Sequence, residues 1–142
     1  MNEPTALLVV DVQQGLFQKS TPVYQAAGLI RNIQTLVDAA HRAGAPVVYI
    51  QHNDKNSLVK DTPTWTLHPD LQPQEDDLRV DKQHGNAFEE TPLDELLKAR
   101  GVKHVIVTGL VTHGCVKNTC LGALEAGYQV MLVSDAHSSY SN

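Results

Sequence analysis

Three residues of this chain carry groups suited to chemistry: the carboxylate of Asp11, the ammonium of Lys82 and the thiol of Cys115. Each stands where an apolar run gives way to polar residues. Cys115 follows the turn Thr112-His113-Gly114 at the start of a helical pattern, where unpaired amides and the helix dipole favour a thiolate and so a nucleophile near neutral pH. Position alone leaves open the other reading, a small buried hydrophobe. Asp11 closes a fully apolar run; it is either a solvated turn residue or a carboxylate held in a cleft, able to accept and return a proton. Lys82, beside Asp81, has the same two readings. Cys120 lies deeper in the helical pattern on its apolar side and reads as core. Five positions apart on one helix, the two cysteines are poorly placed for a disulfide, so both are expected as reduced thiols.

Competing motifs are weak. The seven histidines contain no pair four apart of the kind that binds zinc from one helix. Gly109 and Gly114 flank a turn but match neither the phosphate-binding loop nor the dinucleotide fingerprint, and there is no Gly-x-Ser-x-Gly elbow.

The candidate groups need elements to position them. Thr5 to Val10 (TALLVV) is a continuous apolar run and predicts a buried strand. Thr21-Pro22 predicts a helix start, and Leu29, Ile30, Ile33, Leu36, Val37 and Ala40 recur at helical spacing until Gly44. Ala45 to Gln51 predicts a second strand, parallel to the first because a helical crossover joins them. His52 to Asp77 has three prolines and no periodicity and reads as a long loop. Leu78 to Val80 predicts a short strand, Thr91-Pro92 a helix start closed by Gly101, Val102 to Leu110 a fourth strand, and Tyr128 to Val133 a fifth after a helix that ends at Gly127. Strands alternating with helices predict a mostly parallel α/β sheet with helices on both faces. Ligands of such sheets bind beyond the carboxyl ends of the strands, which is where Asp11, Gln51, His52, Lys82 and Thr112 to Cys115 fall.

Composition narrows the function classes. At 142 residues the chain is read as a single domain, residues 1–142, and 42% apolar residues suffice for an ordinary core. A net charge of −5 with no basic cluster argues against nucleic acid as a partner. No apolar run approaches a membrane span and no leader pattern opens the chain, so a cytoplasmic location with no membrane partner is expected.

The segments ALLVVDVQQGLF, VDKQHGNAF and GLVTHGCVKNT, in this order, resemble the isochorismatase-like cysteine hydrolase superfamily, which includes nicotinamidases and carbamoylsarcosine amidohydrolases. The resemblance covers essentially the whole chain. It implies a three-layer Rossmann-like sandwich with strand order 3-2-1-4-5, and Asp11, Lys82 and Cys115 as a catalytic triad. It further implies a cis peptide at Leu110-Val111, with the backbone amides of Val111 and Cys115 as the oxyanion hole. The implied activity is cleavage of a C–N bond in a small amide or carbamoyl substrate through a Cys115 thioester. Phe17, His52, Trp65 and Phe88 are expected to line the pocket. Gln51-His52-Asn53-Asp54 departs from the metal-binding spacing of nicotinamidases, so neither a catalytic metal nor another cofactor is expected, and a cysteine at position 115 argues against vinyl-ether hydrolysis. Members of the superfamily are commonly homo-oligomers, and that is expected here. The superfamily also has a further helix and a sixth strand after the fifth, whereas this chain ends at Ser134 to Asn142; a truncated C-terminus, with the fifth strand left as an edge, is therefore expected. A catalytically idle paralogue that binds a metabolite or serves as an oligomeric scaffold is the alternative reading. A redox sensor is a third, against which the absence of a nearby resolving cysteine counts.

Overall fold

The structure is a computed structural model that describes residues 4–140. Its framework is a five-stranded parallel sheet in the order β3-β2-β1-β4-β5, flanked by helices: the Rossmann-like α/β fold. The central strand β1 (Thr5–Val10) pairs with β2 (Val47–His52) from Leu7↔Val47 to Val10↔Ile50 and with β4 (His104–Leu110) from Thr5↔His104 to Val10↔Gly109. Its apolar run is continuous because both faces are covered, so Leu7 and Val9 turn toward one layer, Leu8 and Val10 toward the other. Helix α1 (Ala26–Ala43) packs Ile30, Ile33 and Val37 on the first face. Helices α2 (Leu93–Ala99) and α3 (Lys117–Glu125) cover the second through Leu93, Leu97 and Ala123.

Helix α1 stops where the sequence says, at a left-handed Gly44 whose N–H bonds back to the Ala40 and His41 carbonyls. It starts four residues after Pro22, however. Gln25 takes a left-handed conformation (φ 51°), and the stretch before it is tied elsewhere: Tyr24 N–H donates to the Ser139 carbonyl and the Ser138 hydroxyl donates to the Tyr24 carbonyl. Strand β3 (Leu78–Lys82) runs two residues past the predicted end and so includes Lys82.

The fifth strand also differs from its predicted range. β5 spans Gln129–Ser138, so Ser134 to Ser138 are sheet and not a tail. A register shift opposite Val107 and Gly109 lets β5 carry its polar stretch and then rejoin β4 at Gly109↔His137 and Leu110↔Ser138. Ala136 returns to the core, and the Tyr140 hydroxyl donates to the Leu16 carbonyl. Among the described residues the sheet has five strands, with β3 and β5 at its edges; residues 141–142 of the expected tail lie outside the described part. None of the described helices is long and apolar enough to cross a membrane.

Candidate active site

β1, β2, β3 and β4 end on the same side of a parallel sheet, and their final residues bring together groups up to about a hundred positions apart in the chain. Asp11 directly follows β1 in a left-handed conformation (φ 56°), with its N–H held by the Ile50 carbonyl at 2.8 Å. This backbone is strained for a non-glycine residue, at a cost of about 1–3 kcal/mol, and the surrounding structure must hold it. Gly109 (φ 123°) lies against Val10, and a Cβ there would run into the Val10 carbonyl, so the close passage of β4 across the end of β1 requires glycine. The Leu110–Val111 peptide is cis, and Thr112–Val116 form a wide helical turn broken at Gly114, leading into α3.

Lys82, the last residue of β3, is fully buried, and its ammonium is the hub. Nζ lies 3.2 Å from Asp11 Oδ2, 3.1 Å from Cys115 Sγ, 3.0 Å from His52 Nδ1 and 3.0 Å from the His84 carbonyl. Asp11 is 3% exposed, and its other oxygen, Oδ1, is buried without a hydrogen-bond partner in the structure. Such an orphaned carboxylate oxygen is costly unless a proton comes to it.

Burial pushes the Asp11 carboxyl above the usual range, opposed by the charge of Lys82 and by hydrogen bonds from Cys115 and Lys82. Burial and then the Asp11 charge push the Cys115 thiol up to about 11, against a smaller lowering by Lys82. The direction is opposite to the lowering that the start of a helix favours, and its causes are removal of the sulfur from water and the neighbouring carboxylate. At rest the Cys115 side chain is thus a thiol with a carboxyl group next to it. The donor atoms of Asp11, His52 and Cys115 lie within 4.8 Å of one another, but a metal ion could join them only if Lys82 Nζ, which contacts all three, moved away.

The other predicted pocket residues have varied surroundings. His52 ends β2 and touches Lys82. Trp65 approaches from the long loop, where its carbonyl accepts from the Gln13 and Gln51 amides at 2.8 and 3.2 Å, while its indole Nε1 is buried with no partner in the structure. Phe17 sets its ring edge-to-face on His68, with centroids 4.8 Å apart, over the first core. Phe88 packs against Tyr128, centroids 5.7 Å apart, beside the second core.

Sequence reasoning overlooked two contributors. Gln13 is fully buried and clamps the loop to the site: it donates to the His52 and Trp65 carbonyls and accepts from His52 N–H. His137 pairs through Nδ1 with the Thr112 hydroxyl at 2.8 Å. Their partners lie 25 to 52 positions away in sequence, so no local pattern marks either residue.

Comparison with known proteins adds the family. The model of the isochorismatase domain matches residues 5–142. This chain belongs to the isochorismatase family. A streptothricin hydrolase of Streptomyces noursei is 37% identical over 137 residues, covering 95% of this chain and 50% of that protein. The chain thus spans about half the length of the two S. noursei relatives it matches. A ureidoacrylate amidohydrolase of Agrobacterium fabrum is 27% identical over 170 residues, covering 93% of this chain and 75% of that protein. Among solved family structures, a cysteine hydrolase from Pseudomonas syringae superposes with a TM-score of 0.89 at 29% identity, covering 98% of this chain and 79% of its own.

Proposed function

We propose that this isochorismatase-family chain is a cysteine hydrolase that cleaves the C–N bond of a small amide or carbamoyl compound, with Asp11, Lys82 and Cys115 as its triad. The observation that carries this reading is the meeting of a carboxylate and a thiol around one buried ammonium, at 3.2 and 3.1 Å. Relatives named as a cysteine hydrolase and an amidohydrolase support it.

In this mechanism Asp11 takes the Cys115 proton as Sγ attacks the substrate carbonyl carbon. Because the thiol sits near 11, proton transfer accompanies attack and does not precede it. The developing oxyanion is met by the backbone amides of Val111 and Cys115. Collapse breaks the C–N bond, and Asp11 returns the proton to the departing amine. Water, deprotonated by Asp11, then hydrolyses the thioester, releasing the acid and restoring the thiol. Lys82 keeps the two acidic groups in register and offsets the charge passed between them. Trp65 and Phe17, carried by the loop and by the turn after β1, are proposed to bound the substrate, with Phe88 supporting the wall from the second core.

The test is a panel of amides, ureas and carbamates assayed for ammonia release, with Cys115→Ser as control. Release that depends on Cys115 is expected. Hydrolysis left intact in Cys115→Ala, or a chain idle on every compound with an inert thiol, overturns the reading. Two free, half-buried thiols agree with a reducing compartment. The homo-oligomer reading is supported by the exposed Met131 and Leu132 on edge strand β5 and the exposed Leu121 and Leu124 on α3, and light scattering measures it.

A further inference from the structure

The hydrogen bonds around Lys82 determine which nitrogen of His52 carries a proton. Four acceptors lie within reach of Nζ: Asp11 Oδ2 at 3.2 Å, Cys115 Sγ at 3.1 Å, His52 Nδ1 at 3.0 Å and the His84 carbonyl at 3.0 Å. An ammonium donates three hydrogens and accepts none. Four acceptors share three hydrogens, so at least one contact goes without its own; where Nδ1 accepts one of them, it is the bare nitrogen of a neutral ring and the imidazole proton sits on Nε2. The charged and titratable groups facing the ring are Lys82 on β3, Asp11 after β1, Cys115 after β4, Asp54 in the long loop and His84 after β3; burial first, then Lys82, hold the imidazole below its ordinary value, in keeping with a neutral ring.

That proton has no user in the described protein. His52 Nε2 has no hydrogen-bond partner among the described residues, whereas the His52 backbone N–H and carbonyl are both held by Gln13. The ring is half-buried and stands at the same strand ends as Cys115, its inner edge on a fully buried ammonium.

We propose that His52 both positions Lys82, through Nδ1, and contacts the substrate, through Nε2–H. The proposal rests on the cysteine-hydrolase reading and deepens it: the preferred substrates are small amides or carbamoyl compounds with a second acceptor oxygen, a carboxylate or another carbonyl, near the scissile group. A site that offers a fixed donor discriminates against analogues lacking the acceptor, because its N–H is then left unpaired.

Two isosteres separate the two edges of the ring. Asparagine at position 52 places an acceptor near the Nδ1 position and nothing at Nε2, whereas glutamine reaches the Nε2 position and leaves Nδ1 empty. The first readout needs no substrate: the rate at which iodoacetamide alkylates Cys115 at pH 8, with Cys120 labelling in the same molecule as the control for intact folding. His52→Gln is expected to slow Cys115 labelling about three- to tenfold, and His52→Asn to keep the wild-type rate. The second readout is KM on panel compounds with and without a second acceptor. His52→Asn is expected to raise KM about tenfold for the former only. If both variants change the same quantity together, or His52→Asn leaves KM for acceptor-bearing compounds unmoved, the proposal is overturned. A chain that cleaves no amide but whose Cys115 labelling is still slowed by His52→Gln overturns the hydrolase reading and the substrate half, while upholding the contact with Lys82.

Discussion

Cys115 and Cys120 sit five residues apart on one continuous stretch of turn and helix, both half-buried, both free, and both with thiols pushed up by burial. Only Cys115 has charged neighbours: Sγ accepts from Lys82, and Asp11 acts on it directly. Cys120 packs at the rim of the second core, and burial alone shifts it. The difference teaches that a place near the start of a helix does not make a cysteine a nucleophile. The end of β1 and the last residue of β3 bring a carboxyl group and a cation to one thiol and leave its neighbour as packing.

The contrast can be broken most directly by deletion. Cys115→Ala is expected to lower kcat/KM for amide hydrolysis by about 10⁴-fold or more. Cys120→Ala is expected to leave kcat and KM at wild-type values on the same compound, and comparable losses in the two would erase the distinction. Next in size, Asp11→Asn withdraws the proposed base and is expected to cost about 10²–10⁴-fold in kcat, with Cys120 labelling unchanged.

A pH series sharpens the comparison. With the Cys115 thiol raised to about 11, its thiolate fraction at neutral pH is far from saturation, so alkylation should quicken as pH rises. The expected slope is about tenfold per pH unit between 7 and 9, and a plateau below pH 8 would mean that Lys82 outweighs burial and Asp11. The smallest effect concerns the helix that Cys120 shares. A Cβ on Gly122 would run into the Asn86 side chain, so Gly122→Ala should push α3 off the loop before α2 and cost about 1–3 kcal/mol in urea denaturation, with Cys115 labelling little altered.

Much of the fold was legible because its signals are local. The apolar run of β1, the helical spacing of Leu29 to Ala40 and the stop at Gly44 each depend on a few neighbouring residues. The start of α1 and the far half of β5 were not, and for one reason: each is held by the other. Tyr24 bonds to Ser138 and Ser139 across more than a hundred residues, and no window of sequence contains both partners.

The site divides in the same way. The sequence by itself determined the residue types and their places at the ends of strands: a carboxylate at 11, an ammonium at 82, a thiol at 115. Tertiary structure alone decided that one buried Nζ would touch all three of Asp11, His52 and Cys115, that Gln13 would clamp the loop over them, and that burial would push the Cys115 thiol up beside the Asp11 carboxyl. Strand order and register set those distances, and the desolvation that tunes the titrating groups exists only once the layers have closed over them.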